Sequence, residues 1–130
     1  QGRSDARGVV LTIDGITATV TDPAGNFVIT DVPMGTRTLT ASFDGYLDAA
    51  VQVNVLPEQR VTVPTGKLRG GDVNNDGIIN AQDLAIVGST FGTTPPSDPR
   101  ADLNGDGTVN IFDLVLVGAN FGATSPTPWQ

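Results

Sequence analysis

Asp72 Val73 Asn74 Asn75 Asp76 Gly77 Ile78 Ile79 Asn80 Ala81 Gln82 Asp83 returns thirty residues later as Asp102 Leu103 Asn104 Gly105 Asp106 Gly107 Thr108 Val109 Asn110 Ile111 Phe112 Asp113. In both copies oxygen-bearing side chains stand at positions 1, 3, 5, 9 and 12, a glycine at 6 allows a sharp turn, and position 7 offers its main-chain carbonyl. Such spacing wraps a chain around one hard cation. Calcium accepts about 6 to 8 oxygens in a flexible shell, magnesium demands tighter octahedral geometry, and zinc prefers His and Cys, both absent from this chain. The competing reading is an ion-free turn, since Asn, Asp and Gly dominate ordinary turns. Two in-phase copies argue for the ion, and the sequence predicts two bound Ca2+.

The repetition runs past the loops. Residues 72 to 92 and 102 to 122 share 11 identities in 21 positions, among them Leu84/Leu114, Val87/Val117, Gly88/Gly118, Phe91/Phe121 and Gly92/Gly122. Leu84, Val87 and Phe91, like Leu114, Val117 and Phe121, recur at i, i+3 and i+7, which predicts one buried face of a helix of about three turns. Gly92 and Gly122 suit the left-handed cap that ends such a helix. Ahead of the loops stand Lys67 Leu68 Arg69 Gly70 Gly71 and Pro95 Pro96 Ser97 Asp98 Pro99 Arg100 Ala101, whose glycines and prolines refuse an entering helix. Each unit is therefore a loop followed by one helix.

A tandem pair of such units, with Asp at loop position 12 and a hydrophobic residue directly after it, resembles the dockerin module over Gly71 to Gly122. The resemblance implies two calcium ions and docking onto a cohesin module of a scaffold or other secreted protein. It also implies the ligands: Asp72, Asn74, Asp76, Ile78 through its main chain, Asn80 and Asp83, then Asp102, Asn104, Asp106, Thr108 through its main chain, Asn110 and Asp113. Position 9, Asn in both copies, is expected to act through a water. Many dockerins read their partner with a Ser/Thr pair at loop positions 10 and 11 and a basic pair further along the helix. Here those places hold Ala81 Gln82 and Ile111 Phe112, then Gly88 Ser89 and Gly118 Ala119. The expected partner face is thus apolar and nearly uncharged. In the alternative, Ile111 and Phe112 pack internally while Gly88 and Gly118 let the helices approach closely. A mid-helix glycine costs about 1 kcal/mol against Ala and needs some such reason.

The first half is a different object. From Gly8 to Lys67, apolar and polar residues alternate between breaks at Asp14 Gly15, Asp22 Pro23 Ala24 Gly25, Pro33 Met34 Gly35 and Asp44 Gly45. Strands are expected near Val9 to Ile13, Ile16 to Thr21, Phe27 to Thr30, Arg37 to Phe43, Ala50 to Val55 and Arg60 to Pro64, each with one inward face, packed as a small sandwich. The stretch from Thr21 to Gly35, followed by Leu39, Ala41, Gly45 and Tyr46, resembles the carboxypeptidase regulatory-like domain. That implies a transthyretin-like, seven-stranded sandwich, accessory to enzymes and not itself catalytic. Arg37 stands where an aromatic is usual, and no opening strand precedes Gly2 Arg3, so the chain reads as a C-terminal piece with one sheet edge to be covered. The expected architecture is an all-β, transthyretin/Ig-like sandwich over residues 1–67, an α-helical dockerin of two EF-hand-like loop-helix (F-hand) units over 68–124, and a tail or clasp over 125–130.

Composition fits two modules. The chain has 130 residues, 7 basic and 14 acidic, and a net charge of −7. Six of the seven acids after Leu68 are expected calcium ligands, so the acidity marks metal sites, not a repulsive tail. No basic stripe suits nucleic acid, and no run of 18 or more apolar residues suits a membrane span. Without His or Cys, Asp44, Asp48 and Glu58 lie scattered with no partner base, so no catalytic residue is expected. Sugar stacking has only Trp129, Tyr46 and the phenylalanines to draw on, and Tyr46 and Phe43 read better as core. Loops of this kind suit millimolar extracellular calcium, hence a secreted or cell-surface protein. Trp129 stands ready to fold back near Leu68 to Gly71, where a free tail is the alternative, and a contact between the repeats and their own sandwich would make the second half a brace.

Overall fold

The computed structural model describes residues 2–58 and 60–129. Alternation in the first half becomes a five-stranded sheet, built from β1 (Val10–Ile13), β2 (Ile16–Val20), β3 (Gly35–Ser42), β5 (Ala49–Val55) and the short C-terminal β7 (Thr127–Pro128). Its order is β2-β1-β3-β5-β7. The tight Asp14 Gly15 turn between β1 and β2 has both residues at positive φ, 48° and 81°, as a two-residue hairpin requires. The register Leu39↔Val51 and Ile13↔Leu39 brings Leu11, Leu39 and Ala41 to one face, where each is at most 3% exposed.

Two expected strands are not strands. Phe27 to Thr30 and Arg60 to Pro64 run without ladder partners, although Phe27, Ile29 and Val63 do pack on the Leu11–Leu39–Ala41 face. Period two therefore survives as side-chain packing while the hydrogen-bond ladder does not form. Pro23 and Pro33 remove donors on either side of the first segment, and Asp31 between them adopts φ 59°, which bends the chain off a strand path. An open groove of about 1310 Å³, lined by residues that include Leu11, Phe27, Leu39, Val63 and Trp129, remains between these segments and the sheet.

The halves meet through a second, two-stranded sheet that the sequence did not suggest. β4 (Gly45–Leu47) pairs antiparallel with β6 (Arg69–Asp72). Gly70 and Gly71, whose presence excluded an entering helix, are buried. Gly71 is at φ 130°, and a Cβ there would come within 3.0 Å of the Val117 backbone, so glycine is required where β6 crosses the second helix. Asp72 ends β6 and opens the first loop, so that loop grows directly out of a strand.

The helices α1 (Ala81–Thr90) and α2 (Ile111–Ala119) follow their loops as expected. Among the described residues no α-helix enters either loop; β6 leads into the first, and a 3-10 turn, Pro99–Ala101, into the second. Val87 and Val117 are fully buried, and Ile79 and Val109 join them from the loops. Phe91 and Phe121, expected in that core, are instead 50% and 55% exposed. Both lie beyond the last helical residue, where helical phase no longer carries, and Thr90 and Asn120 are buried at the helix ends instead. Leu47, from the first half, is 0% exposed within this second core.

Candidate metal centres and docking face

Each loop gathers three carboxylates. Oxygen atoms of Asp72, Asp76 and Asp83 lie within 4.8 Å of one another, as do those of Asp102, Asp106 and Asp113. Two unit charges at about 4 Å repel by roughly 4 kcal/mol at an effective dielectric of 20, a repulsion that a cation held by such a triad would offset. Among the described residues the ion pairs are Arg37 with Asp14 and Arg100 with Asp98, so neither triad is ion-paired. Hard oxygen donors, no nitrogen or sulfur, and a turn tight enough to converge them fit calcium.

Backbone amides hold the carboxylates in place. Asp72 accepts from Asp76 N at 3.0 Å and Gly77 N at 2.9 Å; Asp102 accepts from Asp106 N at 3.1 Å and Gly107 N at 2.9 Å. Positions 4 and 6 are left-handed in both copies, Asn75 at 55° and Gly77 at 82°, Gly105 at 72° and Gly107 at 85°, which turns successive N–H groups inward. Burial pushes the Asp72 carboxyl up from its ordinary value, hydrogen bonds from Gly77 and Asp76 pull it down, and the neighbouring Asp83 and Asp76 push it up again.

Position 12 has two duties. Asp83 and Asp113 are 0% exposed; the first accepts from Asn74 N and from Asn80 N at 2.8 Å, the second from Leu103 N at 2.8 Å and Asn110 N at 2.9 Å. Each is also N3 of a helix whose N-cap is the position-9 residue. Asn80 accepts from Gln82 N at 2.8 Å and Asn110 from Phe112 N at 3.0 Å, closing a capping box in both copies. Ordering a loop therefore orders the start of its helix. The signal, an Asn three residues before an Asp, lies inside the ligand pattern and is masked by it.

Asn74 and Asn104 reach Asp76 and Asp106 within their loops at 3.1 and 3.2 Å. Ile78 and Thr108 donate their N–H to Asp76 and Asp106 at 3.0 Å. Beyond this set the first half touches both loops. Gly45 N donates to Asn75 Oδ1 at 2.8 Å, Tyr46 Oη to the Leu103 carbonyl at 2.9 Å, and Arg3 Nη1 to the same carbonyl at 3.3 Å while lying over the Phe43 ring. Tyr46 is 4% exposed, and burial pushes its hydroxyl up to about 12. These contacts unite residues far apart in sequence, and no local motif announces them.

The tail folds back, and its hydrogen bonds go to Gly77, Asp48, Ala50 and Pro64 instead of the expected Leu68 to Gly71. Ser125 N donates to Gly77 O, Thr127 N to Asp48 O and Trp129 N to Ala50 O, while Trp129 Nε1 reaches Pro64 O at 2.7 Å. The ring covers Gly66 so closely that a Cβ there would lie 2.6 Å from it.

The expected partner face is open. Ala81, Gln82, Gly88, Ser89, Ile111, Phe112, Gly118 and Ala119 are all exposed. Ile111 and Phe112, at 52% and 64%, do not pack internally. Nor do Gly88 and Gly118 admit a neighbouring helix, since a Cβ at either would meet nothing within 4 Å.

Comparison with known proteins gives the context. The chain is similar to the C-terminal interface mutant of a type II cohesin–X-dockerin complex from Acetivibrio cellulolyticus, at 29% identity over 92% of this chain and 84% of that one, TM-score 0.70. The N-terminal interface mutant of the same complex gives 28% identity, the same coverage and a TM-score of 0.71. A type II cohesin–dockerin domain from Bacteroides cellolosolvens shares 39% identity over 47% of this chain and 95% of that one, with a TM-score of 0.40. No curated protein matches. Residues 5–69 match the carboxypeptidase regulatory-like domain and residues 70–122 the dockerin type I domain. The chain belongs to these families, a carboxypeptidase regulatory-like domain followed by a dockerin.

Proposed function

We propose that the second half is a calcium-dependent docking module for a cohesin on a scaffold or other secreted or cell-surface protein, and that the first half braces and spaces it. The observation that carries this reading is the exposure of all eight candidate partner residues, on helices whose other faces are buried. An exposed mid-helix glycine that serves no internal packing, as at Gly88 and Gly118, suits close approach by a partner backbone. The similarity to cohesin–dockerin complexes supports the partner class, and the apolar character of the face supports hydrophobic over charged recognition.

Two calcium ions, one per loop, would be held by Asp72, Asn74, Asp76, the Ile78 carbonyl and Asp83, and by Asp102, Asn104, Asp106, the Thr108 carbonyl and Asp113, with Asn80 and Asn110 contributing through water. Bound calcium supplies charge that offsets the carboxylate repulsion. The loops then act as F-hand units, setting the first turn of each helix through the capping boxes. In this reading the domains run 1–67 and 68–124 with a clasp over 125–130. The sheet and its covering segments serve as the two layers of a sandwich, and neither half is catalytic.

The bracing role has its own support in Leu47, Tyr46 and Trp129, each of which bridges the halves. A brace without a partner would leave the helix faces without purpose. The test is capture from the source organism's secreted fraction with this chain as bait, with calcium and again with a chelator. A cohesin-containing protein retained only with calcium is the expected result. No capture by a chain that folds with calcium would leave bracing as its role.

A further inference from the structure

The second loop carries a dipeptide that the first lacks. Of the eight asparagines in the chain only Asn104 precedes a glycine. Asparagine is among the chemically labile residues, and most so before glycine, where no Cβ hinders the next main-chain nitrogen from reaching the side-chain amide carbon. The first loop has Asn75 at the corresponding position, left-handed at φ 55° where Gly105 has 72°, so the turn alone does not demand glycine. Arg3 supplies the reason. A Cβ on Gly105 would lie 2.7 to 3.0 Å from the Arg3 guanidinium, which crosses the loop there to reach the Leu103 carbonyl and lies 5.0 Å from the centre of the Phe43 ring. Packing of the first half against this loop thus favours glycine, and brings the labile pair with it.

In the closed loop every reacting group is engaged elsewhere. Gly105 N donates to Asp102 Oδ1 at 3.0 Å, while the Asn104 side chain accepts from Asp106 N at 3.1 Å and donates to Asp106 Oδ2 at 3.2 Å. Attack on the amide would forfeit all three hydrogen bonds. Asp102 and Asp106 are two of the three carboxylates of the second triad, so whatever offsets their repulsion also keeps Asn104 and Gly105 in place. Gly105 is exposed and Asn104 half-buried, so water meets the pair once the loop opens.

We propose that Asn104–Gly105 is a site of spontaneous deamidation, guarded while the second loop holds calcium and open when it does not. First, a bond forms between Gly105 N and Asn104 Cγ, the Cγ–Nδ2 bond breaks, and the Gly105 proton leaves with Nδ2 as ammonia. Water then opens the five-membered imide at one carbonyl or the other. One product has Asp at 104; the other has isoaspartate, whose main chain passes through the former side chain and is one atom longer. That extra atom displaces Asp106 and Asp113 relative to Asp102, so the isoaspartyl chain loses the second ion irreversibly. Resting on the calcium reading of the second loop, the inference adds the fate of a chain deprived of calcium, which retires its own second site. The first loop, where Asn74 precedes the bulkier Asn75, outlasts it.

The experiment ages the whole chain in warm, mildly alkaline buffer, with calcium and with EGTA, after calorimetry has counted the ions bound. Peptide mass spectrometry follows the gain of one mass unit at Asn104, and isoaspartyl methyltransferase labels the isoaspartate. The expected gain in EGTA is at least about tenfold faster than in calcium, because free calcium at ten times Kd already reduces the open population by about that factor. Asn74 should stay unmodified over the same period, and the isoaspartyl chain, returned to calcium, should bind one ion instead of two. Gly105→Asn, which copies the first loop, should suppress the gain in EGTA, and because the open loop is the reacting state this holds whether or not the variant closes around calcium. Equal rates with and without calcium in a chain that binds two ions, or no gain at Asn104 in EGTA, overturns this inference and leaves the calcium reading intact. Failure of the unaltered chain to bind calcium at the second loop overturns that reading, and this inference with it.

Discussion

The sheet half and the loop half are ordered by opposite means. In the first, β1, β3 and β5 share hydrogen-bond ladders and bury Leu11, Leu39 and Ala41, with acids kept at turns, where Asp14 and Asp22 accept amide hydrogen bonds. In the second, two carboxylates with no exposure sit at the base of the loops and each loop draws three acids together. Apolar burial drives order on its own, whereas a cluster of like charges is ordered only with something to offset it. The first half should therefore tolerate conditions under which the second comes apart.

Chelation tests that contrast most strongly. At free calcium a thousandfold above Kd, each site adds about 4 kcal/mol to stability. With EGTA the helical signal of α1 and α2 should collapse while amide protection persists in the β3–β5 ladder, as read by hydrogen exchange. Simultaneous loss of both would mean that the halves fold as one. Next in size, Asp113→Ala removes a buried acceptor for three N–H groups. It should lower calcium stoichiometry from two to one by calorimetry, forfeiting the roughly 4 kcal/mol of that ion and about 1 kcal/mol for each lost hydrogen bond. Asp83→Ala should do the same at the first loop.

Leu47→Ala sharpens the comparison from the other side, since this residue belongs by sequence to the sheet and by packing to the loop half. Truncation should cost about 2 to 5 kcal/mol, and the loss should show in the melting of the helices, not of the sheet. Smallest is Tyr46→Phe, which removes the hydrogen bond to the Leu103 carbonyl and should cost about 1 kcal/mol. Its pH signature is distinctive. Burial raises the hydroxyl from 10.0 to about 12, so the folded chain keeps a proton that the unfolded chain loses. The stability this supplies is full below pH 10 and lost as pH rises toward 12. Urea melts of the wild type should weaken across that window more than those of Tyr46→Phe.

The repeats were readable because every position in a calcium loop has a chemical requirement, and two copies state it twice. Asp72 through Asp83 thus announced their loop, the following helix and the missing entering helix. Elsewhere the same kind of reading failed for physical reasons. Phe27 and Ile29 alternate as a strand would, but alternation reports which side chains face a core, not whether the main chain finds a ladder partner. Phe91 and Phe121 kept helical spacing past the point where their helices stop. Tyr46 was legible as a core residue, yet nothing near it in sequence could say that its hydroxyl meets Leu103, 57 residues away. The β4–β6 pairing was hidden likewise, because Gly70 and Gly71 announce no strand until the helix that crosses them is in place.

The returning tail has a mechanical consequence. A pull on the helices would reach the sheet by two routes, the covalent path back through β6 and the end of the chain lying along β5. Thr127 and Trp129 attach that end through main-chain hydrogen bonds to Asp48 and Ala50, and the indole adds a third fastening at Pro64. Tension along the strand loads these bonds together in shear instead of opening them one after another, so the joint between the modules is a double tether.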